Sequence, residues 1–192
     1  SHRRLAEQIV NAWSAPVEEG RPVIELLGPD AAGKAAVAAL VCAELGVPLL
    51  RLDASVLPID SEERKRLAML WEREALLTGA ILLVDCDDLD SGEHRRVASF
   101  LRRMRVPVVV GIAEPLAASR LISLRLDVAK PDAADARRLW EAELGPVWAS
   151  LNGEVASVVS QFTLSLEGIR SAGAHVRREI LTEESGAGDT LW

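Results

Sequence analysis

Lysine occurs only three times in these 192 residues, at Lys34, Lys65 and Lys130, and tyrosine does not occur at all. With so few lysines, each one carries weight. The net charge is −7, and no run of Lys and Arg exceeds three residues. Proteins that grip nucleic acid through its phosphates present a basic face, so nucleic acid is not an expected partner. Arg95, Arg96, Arg102, Arg103 and Arg105 read instead as a solvated helix surface. Cys42 and Cys86 lack metal-ligand spacing and are too few for a disulfide framework, which fits a reducing compartment. His2, His94 and His175 are scattered, so no zinc site is expected. No apolar stretch approaches the ~20 residues that span a bilayer, and no signal-peptide pattern is visible. These absences point to a cytoplasmic protein without a membrane partner.

What is present is a large apolar fraction, 49% of residues, enough to bury a core. Leu5, Ile9, Val10 and Trp13 share one helical face, so the first fourteen residues predict an amphipathic helix. Pro22 to Leu27 reads as a strand, Gly28 to Lys34 as a loop, Ala35 to Leu45 as a helix and Leu49 to Asp53 as a strand. Asp60 with Glu63 resembles a capping box, opening a helix to about Thr78 with Leu67, Leu70, Trp71 and Leu77 inward. Ala80 to Val84 is an unbroken apolar run, the pattern of a strand buried on both faces. A helix over Ser91 to Met104 and strands over Val106 to Ile112 and Leu121 to Asp127 complete an alternation that argues for a parallel sheet covered by helices. After Pro131 the strands stop. Asp132 caps a helix carrying Leu139 and Trp140, and helices over Gly153 to Phe162 and Ser165 to Leu181 follow. The expected division is an α/β part over 1–130, a helical part over 131–182 and a flexible tail or linker over 183–192.

The string Gly28-Pro29-Asp30-Ala31-Ala32-Gly33-Lys34-Ala35 fits G-x-x-x-x-G-K between a strand and a helix. Small residues let the backbone curl around phosphate oxygens and offer them N–H groups. The following helix aims its positive end at the same anion, and Lys34 adds a point charge. Ser or Thr usually follows the lysine and binds Mg²⁺ through its hydroxyl; Ala35 has none. Asp85, at the C-terminal end of the Ile81 to Val84 run, faces the ligand crevice of such a sheet and is the candidate metal-holding carboxylate. Cys86 follows it, and a thiol beside Asp85 is a poor base. Asp87, Asp88 and Asp90 read as a polar turn before the next helix, with Asp87 or Asp88 as the alternative carboxylate for catalysis.

Taken in order, GPDAAGKA, ILLVDCDD, VVVGIAEP and the helical segment opening KPDAADARRLW resemble the AAA+ family of ATPases, over Arg21 to Leu181. The resemblance implies a P-loop NTPase fold, with a five-stranded parallel sheet and a small C-terminal helical lid. It implies ATP or ADP as ligand with a weak or absent Mg²⁺ contribution, and other AAA+ domains or subunits as partners. It places Ala113 and Glu114 where a water-placing Asn is expected. It makes Arg170 resemble the sensor arginine that reaches the γ-phosphate from the lid, and Arg120 and Arg125 the nearest arginine-finger candidates. The Mg²⁺ hydroxyl, the catalytic Glu and the sensor Asn are missing together. Loss of one transition-state contact can cost ~2.7–4 kcal/mol, so the expectation is a degenerate ATP-binding domain with little or no hydrolysis. Four alternatives stay open: an active ATPase with substituted residues, an assembly module without nucleotide, a P-loop small-molecule kinase, and a DNA-dependent ATPase of the clamp-loader or initiator kind.

Overall fold

The computed structural model describes residues 2–14, 22–87, 89–116, 122–149 and 164–186. The chain divides into two compact units between Val128 and Ala129.

In the first unit, β1 (Val23–Leu27), β2 (Leu49–Asp53), β3 (Ile81–Asp85), β4 (Val108–Ile112) and β5 (Ser123–Asp127) form one parallel sheet in the order β2-β3-β4-β1-β5. Helices cover both faces. Alternation along the strands sends Ile24, Leu26, Ile81, Leu83 and Val109 to one side, where they pack on α1 (His2–Ser14) and α2 (Ala31–Leu45). Leu52, Leu82, Val84, Val108 and Val110 point the other way, onto a core shared with α3 (Ser61–Thr78) and α4 (Ser91–Leu101). Both faces of β3 are therefore dry, which is why its sequence is an apolar run rather than an alternation. Fully burying each such side chain contributes about 1.5–3 kcal/mol.

The strand order fixes where a ligand can sit. β1 lies between β4 and β5, and its chain leaves through α2 on one face. The segment after β4 puts Leu116 into the core of the opposite face. Neighbouring strands whose chains depart to opposite sides leave a crevice at their C-terminal ends, so β1 and β4 bracket the candidate site.

Several local expectations need correction. α2 starts at Ala31 rather than Ala35, because the Asp30 carboxylate caps it and brings residues 31–34 into the helix. Leu70 and Leu77 are exposed, not inward. α3 packs through the stripe Arg64, Ala68, Ala75 with Leu67 and Trp71 beside it, and the second apolar stripe faces outward. Asp60 does cap α3, accepting the N–H groups of Glu62 and Glu63. The reciprocal capping box forms at Asp90 and Glu93, at the start of α4. That helix ends at Leu101, short of Met104.

The second unit pairs α5 (Ala133–Leu144) with α6 (Leu166–Gly186) around Ala136, Trp140, Leu144 and Ile169. Gly173 permits their close approach: a Cβ there would lie 3.0 Å from Glu143 Cβ. Asp132 caps α5 as its sequence predicts. α6 continues through Gly186, past Glu183 where the tail was expected. The expected helix over Gly153 to Phe162 lies outside the described residues. Among the described residues, no helix is long and apolar enough to cross a membrane.

Candidate functional site

Gly28 ends β1 with φ +128, a backbone angle that side chains rarely adopt. A Cβ at that position would lie 2.6 Å from the Val128 carbonyl oxygen. Two bonds hold it there: the Gly28 N–H donates to the Ile112 carbonyl at 3.2 Å, and the Val128 N–H donates to the Leu27 carbonyl at 2.7 Å. Pro29 turns the chain and Asp30, 1% exposed, opens α2. The Asp30 carboxylate accepts the Gly33 N–H at 3.0 Å, and the Lys34 N–H donates to the Asp30 carbonyl at 3.0 Å. Gly33 has no room for a side chain, since a Cβ would sit 2.8 Å from an Asp30 oxygen. Ala31 and Ala32 form the first turn of the helix, and Ala35 follows Lys34 within it.

Lys34 is 1% exposed and is among the largest fully buried side chains. Its aliphatic stem lies beside Gly111 of β4, where a Cβ would come within 3.8 Å of the lysine carbons. Its ammonium group donates to the Gly28 carbonyl at 2.5 Å and pairs with the Asp87 carboxylate. The second oxygen of Asp87 is buried and has no partner among the described residues.

Three strands end in aspartate at this edge: Asp53, Asp85 and Asp127. The Asp85 carboxylate pairs not with Lys34 but with Arg51 of β2, at 2.8 Å. Period-two alternation turns Cys86 to the opposite face, into the core with Val84 and Leu116. Burial, reinforced by the carboxylates of Asp85 and Asp87, pushes the Cys86 thiol well above its ordinary range despite the opposing charge of Lys34. It stays protonated and away from the crevice. Asp88 lies outside the described residues, as does Arg120. Ala113 and Glu114 follow β4 and are exposed. Arg125 of β5 pairs with Glu25 of β1 at 3.2 Å. In the helical unit Arg170 is exposed and lies 3.8 Å from Glu143.

The structure thus gathers Gly28, Gly33, Lys34 and Asp87 at one point, with Asp85 on the next strand. Two contributors escaped the sequence reading. Arg51 was invisible as a partner because the Asp53–Asp85 register that sets it beside Asp85 is a tertiary fact. Glu25 did leave a signal, a lone carboxylate in the apolar run PVIELL. It is fully buried and accepts from the Leu116 N–H at 3.4 Å and from Arg125.

Among the described residues, no cluster of three His, Cys, Asp or Glu is arranged to hold a metal ion. No curated protein matches the chain. A family model described as the contractile injection system ATPase helical domain matches residues 132–192, the stretch that contains α5 and α6. The match covers less than half of the chain and relates its helical unit to the ATPases of contractile injection systems.

Proposed function

We propose that the chain is a degenerate P-loop ATPase domain of the AAA+ type, acting as a regulatory or structural module within the ATPase of a contractile injection system. The observation that carries this reading is the position of Lys34. Its buried ammonium sits at the C-terminal edge of a parallel sheet, beside a glycine turn and the N-terminus of a 15-residue helix. Gly28 and Gly33 keep this turn free of side chains, since a Cβ would collide with the Val128 carbonyl at the first and the Asp30 carboxylate at the second; a bare backbone turn of this kind is what a polyphosphate needs to approach closely.

The fit to ATP or ADP is to their phosphates: Lys34 supplies the charge, and α2 supplies its positive end. The fit to Mg²⁺ is poor. Ala35 has no hydroxyl, and Asp85 is already paired with Arg51. Hydrolysis lacks its base, since Cys86 faces the core as a neutral thiol. Arg170, exposed and 3.8 Å from Glu143, keeps the sensor-like role in this proposal, and Asp88 that of a substitute carboxylate. The alternative of an active ATPase rests on Asp87, which is already bound to Lys34, or on Asp88, which lies outside the described residues. A module without any nucleotide is the second reading, favoured by the same Lys34–Asp87 pair. Titration calorimetry with ATP and ADP, with and without Mg²⁺, tests both. The proposal expects weak binding that Mg²⁺ barely improves, loss of it in Lys34→Ala, and phosphate release at background. Mg²⁺-dependent turnover at ordinary ATPase rates, abolished by Lys34→Ala, would overturn it.

A further inference from the structure

Both groups that would receive a phosphate already hold an anion of the chain itself. The Gly33 N–H, at the positive end of α2, donates to the Asp30 carboxylate at 3.0 Å. The Lys34 ammonium, buried and therefore strongly dependent on a counter-charge, pairs with Asp87. Asp30 is 1% exposed, so its charge is fixed at the mouth of the helix rather than dissolved in water. Resting on the phosphate-site reading above, we infer that Asp30 and Asp87 are internal substitutes for the ligand phosphates, and that they keep the site closed to nucleotide until they are displaced.

The physical basis is competition for the same donors. A polyphosphate can reach Lys34 only if Asp87 lets go, and can reach the Gly33 N–H only if Asp30 rotates away. After displacement both carboxylates remain beside the incoming anion and repel it. The geometry makes Asp87 the mobile member. It is 19% exposed and lies on the connection between β3 and α4, with one oxygen unpartnered among the described residues. Asp30 is the fixed member, because it also caps α2. A partner that drew Asp87 off Lys34 would free the ammonium while Asp30 still held the Gly33 N–H, so the β3–α4 connection controls one of the two blocks on nucleotide binding.

The test compares the full chain with Asp30→Asn, Asp87→Asn and the double variant, using inorganic pyrophosphate and ADP without Mg²⁺ as probes in titration calorimetry. Asparagine is itself a good N-cap and a neutral match in shape, and a thermal melt of each variant confirms folding. Asp53→Asn with Asp127→Asn makes the same charge change at the same sheet edge and controls for general repulsion. The inference expects binding at least ten-fold tighter in the Asp30→Asn, Asp87→Asn double variant, less than about two-fold change in the control pair, and loss of the gain when Lys34→Ala is added. Wild-type protein that binds either probe as tightly as the double variant overturns the inference and leaves the phosphate-site reading standing. Folded variants that all stay silent at millimolar probe overturn both.

Discussion

Replacing Gly28 by alanine probes the turn that brings β1 to α2. The native φ of +128 lies where only glycine is at ease, and holding another residue there costs about 1–3 kcal/mol. The added methyl would also meet the Val128 carbonyl oxygen at 2.6 Å. That oxygen cannot retreat freely, because the Val128 N–H is bonded to the Leu27 carbonyl and ties β5 to β1. Crowding of this kind costs about 1–3 kcal/mol. Together the expected loss is about 2–6 kcal/mol. Gly79→Ala is the internal comparison: its φ of +71 is also left-handed, but nothing lies within 4 Å of an added Cβ, so only about 1–2 kcal/mol is expected. Urea unfolding followed by far-UV circular dichroism measures both. A Gly28→Ala variant within about 0.5 kcal/mol of wild type, or no less stable than Gly79→Ala, would refute the close approach of Val128.

Other consequences are as direct. Leu82→Ala, in a core with no exposure, should cost about 2–5 kcal/mol, whereas Leu70→Ser and Leu77→Ser, on the outward stripe of α3, should stay within about 0.5 kcal/mol; equal losses would contradict the assigned face. Cys86 should resist alkylation in the native protein at pH 8 and react once urea is added, and rapid native labelling at this residue would place it wrongly in the core. Burial also pushes the Cys42 thiol up to about 11, so between pH 9 and 11 the unfolded chain sheds this proton while the folded one keeps it. Stability should therefore fall with rising pH over that window, and less so in Cys42→Ala; identical profiles would show that the thiol is not shielded. The Asp60 and Asp90 carboxyls are held below their usual range by helix N–H groups. Their contribution is present at neutral pH and is lost as pH falls from 3.8 through their lowered folded-state values, so thermal melts of Asp60→Asn and Asp90→Asn should differ from wild type more at pH 7 than at pH 3; a difference that does not shrink on acidification would contradict this.

The sheet was legible because its strands carry their burial in their letters. ILLV in β3 and VVVGI in β4 are dry on both sides, and the sequence shows it as unbroken apolar runs. The glycine string was legible for the same kind of reason, since its spacing is local. What failed was the choice between two apolar stripes on α3. Leu67 and Trp71 pack inward while Leu70 and Leu77 face out, and periodicity alone does not say which stripe meets the sheet. The start of α2 was hidden by Asp30, whose side chain reaches three residues ahead to cap the helix. The pairing of Lys34 with Asp87 spans 53 residues and depends on β3 lying next to β4, so Asp87, with Asp88 and Asp90, reads as a turn. Asp90 does serve that turn, as the cap of α4, while Asp87 belongs to the site.

The measurement closest to the central claim is an amide-resolved NMR titration of the full chain with ADP, which registers binding however weak. The account predicts shifts concentrated at Gly28 to Ala35, at Gly111 and at Asp85 to Asp87, and their disappearance in Lys34→Ala. Shifts confined to other surfaces, or a titration at Gly28 to Ala35 that persists without the lysine, would contradict it.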